Sequence, residues 1–206
     1  MDLFDIDLNK TKDGIYYIYN YVPVRRQKRA DDAEVQLSND LLDYKDGKQE
    51  AIDRFTSDLQ YAVATLSRKS KRNNIGLMAV PSSTVGHEST VCKSISRIYT
   101  RSYLHPFLRI PIDEDKKIYD YSNYLIRTSN VQKAAKARRG KRPTVEDHIN
   151  SISVCKETPL WKYRTAFIII DDITTTGTIM RACRQILLNH GAKEEDIICL
   201  ALAKTI

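Results

Sequence analysis

Asp171 and Asp172 stand side by side directly after the apolar run Ala166-Phe167-Ile168-Ile169-Ile170, and the turn Ile173-Thr174-Thr175-Thr176-Gly177-Thr178 follows them. These residue types in this order have an evident chemical use. A Thr/Gly turn that opens a helix directs backbone N–H groups and the positive end of the helix dipole at one place, which favours a phosphate. Thr174, Thr175, Thr176 and Thr178 add hydroxyl donors, and Gly177 lets the backbone approach an anion with no Cβ in the way. Each hydrogen bond to a charged phosphate contributes on the order of 1.5–3 kcal/mol, so four or five would hold a doubly charged group firmly. Carboxylates repel phosphate. Asp171 and Asp172 therefore suit neighbouring sugar hydroxyls or, through water, a metal ion. The bland alternative is a capped helix after a strand, since Thr is an ordinary cap residue; it leaves the paired acids unexplained.

The elements that must position these groups are legible by pattern. The apolar run suits a strand buried on both faces, as in a parallel sheet, and is expected to end at Asp171-Asp172. Ile179, Ala182, Cys183, Ile186 and Leu187 then mark the apolar face of a helix that stops near Gly191, and Ile197 to Ala203 form a further strand. A right-handed strand-helix-strand crossover is the expected topology. Upstream, Gly14 to Val22 is rich in Tyr and Ile and reads as a strand stopped by Pro23. Ala51, Ile52, Phe55, Leu59, Ala62, Val63 and Leu66 recur at helical spacing. Ile75 to Pro81 reads as a strand, Ser82-Ser83-Thr84 as a polar loop, and Val91 to Ile98 as a helix. Two strands are expected near Lys117 to Arg127 and Ile149 to Cys155, bracketing Lys133 to Pro143, which holds six basic residues and no acid. Self-repulsion makes that segment mobile unless an anion organises it.

Composition bounds the rest. At 206 residues with 42% hydrophobic and 29% charged side chains, the chain fits one globular domain and excludes fibrous or disordered classes. No apolar run approaches the roughly 18 residues a membrane helix needs, and the N-terminus lacks a secretion pattern, so no membrane association and a cytoplasmic location are expected. Cys92, Cys155, Cys183 and Cys199 make no C-x-x-C pair and read as reduced core thiols. A net charge of +7 is compatible with phosphorylated small molecules or nucleic acid as partners.

The segment Phe167 to Thr178 resembles the phosphoribosyl diphosphate (PRPP) binding motif of type I phosphoribosyltransferases: apolar strand, two acids, Thr/Gly loop. Three further features resemble the ComF-like branch of that family, extending the resemblance from about residue 40 to the end. Leu42-Asp43-Tyr44-Lys45-Asp46-Gly47-Lys48 resembles its early Lys/Gly segment. Ala79-Val80-Pro81-Ser82 resembles its Pro-bounded loop facing the diphosphate. Arg127-Thr128, Gln132 and Arg138-Arg139 resemble its mobile loop between two strands.

The resemblance implies a single phosphoribosyltransferase-like domain over 1–206. Its fold would be α/β and Rossmann-like: a parallel sheet flanked by helices, an antiparallel flap, a mobile basic loop over 128–148, and residues 1–40 as an N-terminal hood or added edge strand. It implies that Asp171 and Asp172 hold the ribose 2- and 3-hydroxyls and serve as the metal carboxylates, and that Thr174, Thr175, Thr176, Gly177 and Thr178 cradle the 5-phosphate. Val80, Pro81, Ser82, Ser83 and Thr84 would meet the diphosphate with Mg²⁺, and Lys136, Arg138 or Arg139 would stabilise the leaving group. The implied activity is transfer of the ribose 5-phosphate group with release of diphosphate.

Thr175 stands where purine-salvage members carry an acid, which disfavours that subclass, and Ile179 replaces a small or hydroxyl residue. No segment identifies an acceptor. The alternative is a non-catalytic nucleotide sensor or a module that serves nucleic acid through its basic segments. Self-association is open in either case. Gly86-His87-Glu88 and Arg25-Arg26-Gln27-Lys28-Arg29 read more simply as surface groups, and Tyr16, Tyr17, Tyr19 and Tyr21 as strand packing rather than base-stacking platforms.

Overall fold

Every residue of the run Ala166 to Ile170 is buried, on a strand spanning Thr165–Thr174. Side chains alternate between the faces of a strand, and the run divides accordingly: Ala166, Ile168 and Ile170 join one hydrophobic cluster, Phe167 and Ile169 another. A strand covered on both faces calls for parallel neighbours with helices above and below. The computed structural model, which describes residues 7–104, 115–131, 142–155 and 165–206, has that arrangement.

In chain order the strands are Asn9–Lys10 (β1), Tyr16–Tyr21 (β2), Asn74–Ala79 (β3), Lys117–Asp120 (β4), Leu125–Arg127 (β5), Ile152–Val154 (β6), Thr165–Thr174 (β7) and Ile197–Thr205 (β8). The helices are Asp32–Lys45 (α1), Gln49–Lys69 (α2), Thr90–Leu104 (α3), Val145–Ile149 (α4) and Thr178–Asn189 (α5). Six strands make one sheet in the order β1-β2-β8-β7-β3-β4, and every neighbouring pair but β1–β2 is parallel. The chain is thus α/β, with a mostly parallel central sheet flanked by helices, compatible with a Rossmann-like arrangement.

The helices divide between the two faces as their apolar stripes require. Leu41 and Tyr44 of α1, Ile52, Phe55, Leu59, Ala62, Val63 and Leu66 of α2, and Val91, Ile95 and Ile98 of α3 share one cluster with Ile168 and Ile170. Met180, Cys183, Ile186 and Leu187 of α5 share the other with Phe167 and Ile169. An Asp31/Glu34 capping box starts α1. Phe55 is fully enclosed and takes Tyr19 and Tyr44 edge-on.

Three expectations are corrected. The stretch Lys117 to Arg127 is two strands: Asp120 accepts from the Ser122 N–H (2.9 Å), and that turn separates β4, in the main sheet, from β5. The stretch Ile149 to Cys155 opens as helix, because a Thr144/Asp147 capping box organises α4 through Ile149; only Ile152–Val154 pairs with β5, forming a separate two-stranded antiparallel sheet. Strand β7 does not end at the acids. Its ladder with β8 continues through Asp171↔Ala201 and Ile173↔Ala203 to Thr174↔Lys204. Of the N-terminal 40 residues, the described part adds β1 and β2 to the sheet edge, then a 3₁₀ turn and the first half of α1. Cys92, Cys183 and Cys199 are buried thiols and Cys155 is half-buried. No described helix is long and apolar enough to cross a membrane.

Candidate functional site

From β3 the chain passes through α3 to β4 on one side; from β7 it passes through α5 to β8 on the other. The carboxyl ends of β3 and β7 therefore flank the point where the strand order reverses, the place where open α/β sheets form a ligand crevice. Pairing of these two strands stops at Ala79↔Ile170, with one more bond from the Val80 N–H to the Ile170 carbonyl (2.9 Å). Beyond it the chains part at Pro81 and Asp171. Of the two segments singled out by sequence, 80–84 leaves the sheet here, whereas 171–174 goes on pairing with β8 and only 175–178 turns away.

Thr174 is buried at the end of β7, whereas Thr175 and Thr176 are exposed. The Thr175 hydroxyl lies 3.3 Å from that of Thr205, and those of Thr176 and Thr178 are 2.8 Å apart. Gly177 is the N-cap of α5 with φ +68°, so the cap position supplies no side-chain acceptor for the first-turn N–H groups. A Cβ at Gly177 would stand 2.3 Å from Ile15 Cδ1. Glycine is required here twice over, by conformation and by space. Arg181, one turn into α5, reaches back to the Thr176 carbonyl (2.8 Å) and the Thr178 hydroxyl (3.2 Å) and pairs with Asp13 (2.7 Å), placing a guanidinium beside the turn.

The acids are half-buried rather than at a solvent-facing strand tip. Asp171 Oδ1 accepts from the Asp172 N–H (3.0 Å), and Asp172 Oδ1 from the Ile173 N–H (2.5 Å). Lys45, the last residue of α1, places its Nζ 3.0 and 2.9 Å from the two oxygens of Asp172. Desolvation works against the Lys45 ammonium, but the charge and hydrogen bonds of Asp172 outweigh it and leave its pKa raised. Among the described residues no cation forms an ion pair with Asp171, and the Lys45 charge only partly offsets what raises its pKa. Desolvation first, and the charge of Asp172 second, push its carboxyl up to about 7.

On the other side of the crevice Val80 is buried and Pro81, Ser82 and Ser83 are half-buried, with Thr84 exposed. Arg127, itself buried at the end of β5, holds this loop: its guanidinium donates to the Ser82 carbonyl (2.8 Å), the Pro81 carbonyl (3.4 Å) and the Ser151 hydroxyl. No carboxylate pairs with it among the described residues, and burial lowers its pKa. Val131 donates to the Ser83 carbonyl (3.0 Å), and Asn130 Oδ1 accepts from the Val85 N–H (2.7 Å). The segment leading toward the basic stretch is thereby stitched to the 80–84 loop. A cavity of about 330 Å³ opens there, lined by Pro81, Ser82, Thr84, His87 and Arg127 among others. A second, of about 410 Å³, shares Glu88, Cys92, Ser122 and Asn123 with it and extends to Lys93, Arg97 and Asp120.

The structure thus places Asp171, Asp172 and Thr174 to Thr178 at the carboxyl end of β7 and Val80 to Thr84 at that of the adjacent β3, while the two cavities lie on the 80–84 side and are not lined by 171–178. Lys136, Arg138 and Arg139 lie outside the described residues. His87 is exposed and lines the first cavity. The strand tyrosines pack: Tyr19 donates to Asp58 (3.0 Å), and Tyr16 lies under Lys10 and Lys69. Sequence reasoning did not single out Lys45, Arg127 or Arg181 as site residues. Lys45 and Arg127 fell inside segments already noticed, and the three-residue spacing from Thr178 to Arg181 on a helix carried a signal for the last. The acids fit a bound divalent ion poorly. Both oxygens of Asp172 already face an ammonium, and no third His, Cys, Asp or Glu joins a metal-binding cluster among the described residues.

Compared with models of known protein families and with curated proteins, the chain matches none of them.

Proposed function

We propose that this chain binds PRPP or a nucleotide by its ribose 5-phosphate in the crevice between β3 and β7, and acts as a phosphoribosyltransferase. The observation that carries the reading is the combination of an α5 N-terminus with no side-chain cap, preceded by the exposed Thr175 and Thr176 and opened by Thr178, with an acid pair on the strand that leads into it. The 5-phosphate sits at the Thr turn. The sugar hydroxyls donate to Asp172 and meet Asp171, whose raised pKa lets it donate or accept near neutral pH. The diphosphate faces Val80 to Thr84, whose carbonyls Arg127 holds back so that the loop keeps one shape. In the reaction the C1–O bond breaks and the diphosphate leaves with the electron pair. The acceptor's lone pair forms the new bond to C1 and the acceptor then gives up a proton. Catalysis of such a step consists of neutralising the departing charge and excluding water. The resemblance assigns the first task to Lys136, Arg138 and Arg139. Mg²⁺ enters this proposal as the counter-ion of the diphosphate.

Calorimetry with ribose 5-phosphate and with PRPP tests the reading. Thr176→Val removes a hydroxyl donor from an exposed position, and Asp171→Asn with Asp172→Asn removes the acids. Each variant is expected to weaken binding by roughly 10-fold or more, the equivalent of one lost charged hydrogen bond. Unchanged affinity in both would dismiss the site. Diphosphate release from PRPP in the presence of a panel of bases and amines separates the enzyme from a sensor, which binds without turnover.

A second reading is favoured by one placement. Because β2 runs parallel to β8, it delivers Arg25, Arg26, Lys28 and Arg29 to the same carboxyl end of the sheet as the Thr turn, on a 3₁₀ turn, Val24–Arg29, with no buried residue. Contact is continuous: Ile206 donates to the Tyr21 carbonyl (3.1 Å), Arg26 to the Ile206 carbonyl (2.5 Å), and Thr205 meets Thr175. In this reading the four cations follow the phosphates of a nucleic-acid strand. Binding should then weaken with salt, with a log–log slope of roughly 0.7 to 0.9 per phosphate contact, and disappear when all four are Ala. Absence of binding to single- or double-stranded oligonucleotides at low salt would eliminate this reading.

A further inference from the structure

The ion pair between Lys45 and Asp172 joins residues 127 positions apart, and its ammonium, on a side chain 47% exposed, closes on a carboxylate that is largely covered. The end of α1 that carries Lys45 is held twice by α3. Tyr44 is fully buried with its hydroxyl 2.9 Å from that of Ser94, and the Thr90 hydroxyl donates to the Lys45 carbonyl (3.3 Å). The Asp172 side chain keeps only 16% of its surface exposed, and the ammonium faces both of its oxygens. One of those oxygens also accepts the Ile173 N–H. A divalent ion bound directly would need carboxylate oxygens at roughly 2.0–2.6 Å, in the lone-pair space the ammonium already fills.

We infer that Lys45 is a resident counter-cation at the acid pair, standing where a metal carboxylate site would otherwise form, so that the protein itself holds no divalent ion at Asp172. Where this is joined to the proposed function, it follows that the ribose 5-phosphate group is held without a protein-bound metal. The sugar hydroxyls meet a carboxylate whose charge is balanced in advance. Lys45 is in this sense a positioning residue, acting through Asp172.

The test uses Mn²⁺ as the probe, read by water-proton relaxation on the full chain without any sugar phosphate. Wild type and Asp172→Asn should bind Mn²⁺ alike, because Asp172 is already occupied. Lys45→Met should bind about 10-fold more tightly or better, as a half-buried carboxylate loses its neutralising cation. Lys45→Met combined with Asp172→Asn should lose that gain, and Lys45→Arg should behave as wild type. Mn²⁺ binding by wild type that Asp172→Asn abolishes would overturn the inference, and this comparison does not depend on the Lys45 variants folding. No gain in a folded Lys45→Met would also overturn it. Ribose 5-phosphate supplies the second arm: wild type should bind it with the same affinity, within about 2-fold, in Mg²⁺ and in EDTA, because an ion pair already balances the acid. Affinity lost in EDTA would refute metal-free binding. No affinity under either condition would refute the functional reading instead, leaving the Mn²⁺ result to decide the role of Lys45.

Discussion

Gly177→Ala is expected to destabilise the protein by about 2–5 kcal/mol and to abolish binding at the Thr turn. Two costs combine. A left-handed backbone costs an L-residue roughly 1–2 kcal/mol, and forcing an extra methyl into packed surroundings costs about 1–3 kcal/mol. Gly177 has φ +68°, and the new Cβ would meet Ile15 Cδ1 at 2.3 Å. Ile15 is itself buried in the cluster that holds α5 against the sheet, so it has little room to yield. The costs can be separated. Ile15→Val removes the clashing methyl, so the double variant should recover the steric part and keep the conformational part. Urea unfolding of the three variants measures this, and a Gly177→Ala loss below about 0.5 kcal/mol would show that the turn is not held as described.

The second large effect is one of pH. The Asp171 carboxyl is pushed up to about 7, chiefly by desolvation and then by the charge of Asp172, from a value near 3.8 when free of those surroundings. Between these two values the folded chain holds a proton that the unfolded chain has released. Stability therefore falls as pH rises from about 4 to about 7 and is level above that, as far as this group is concerned. Asp171→Asn, which stays neutral, should match wild type near pH 4 and exceed it at pH 8 by at least about 1 kcal/mol, the equivalent of one pK unit. The same variant should bind ribose 5-phosphate less well, the signature of a group kept for function at the expense of stability. Urea midpoints at the two pH values decide it: a variant that is no more stable than wild type at pH 8 would place the carboxyl in a wetter setting than the one described.

What local pattern carries, the amino-acid sequence displayed. The strand from Ala166 to Ile170, the helical stripe from Ile52 to Leu66 and the strand-helix-strand unit at the C-terminus all follow from periods of 2 and 3.6, because a residue's own face depends only on its position along its element. The parallel character of the central sheet followed from a strand apolar on both sides. The Thr/Gly turn was legible for the same reason: caps and turns are made by neighbours in the chain.

Tertiary structure decided which elements became neighbours. Asp171 and Asp172 lie within a strand because β8 goes on pairing beyond them, which no pattern in residues 166–174 announces. The stretch from Lys117 to Arg127 divides between two sheets because β3 accepts its first half and β6 its last. Lys45 finds Asp172, and Arg127 finds Pro81 and Ser82, across 127, 46 and 45 residues. Periodicity records which way a side chain points but not what it will meet there. That depends on strand order and on how the helices cover each face, which is why the charge balance of the acid pair is set by where α1 ends, beside β7.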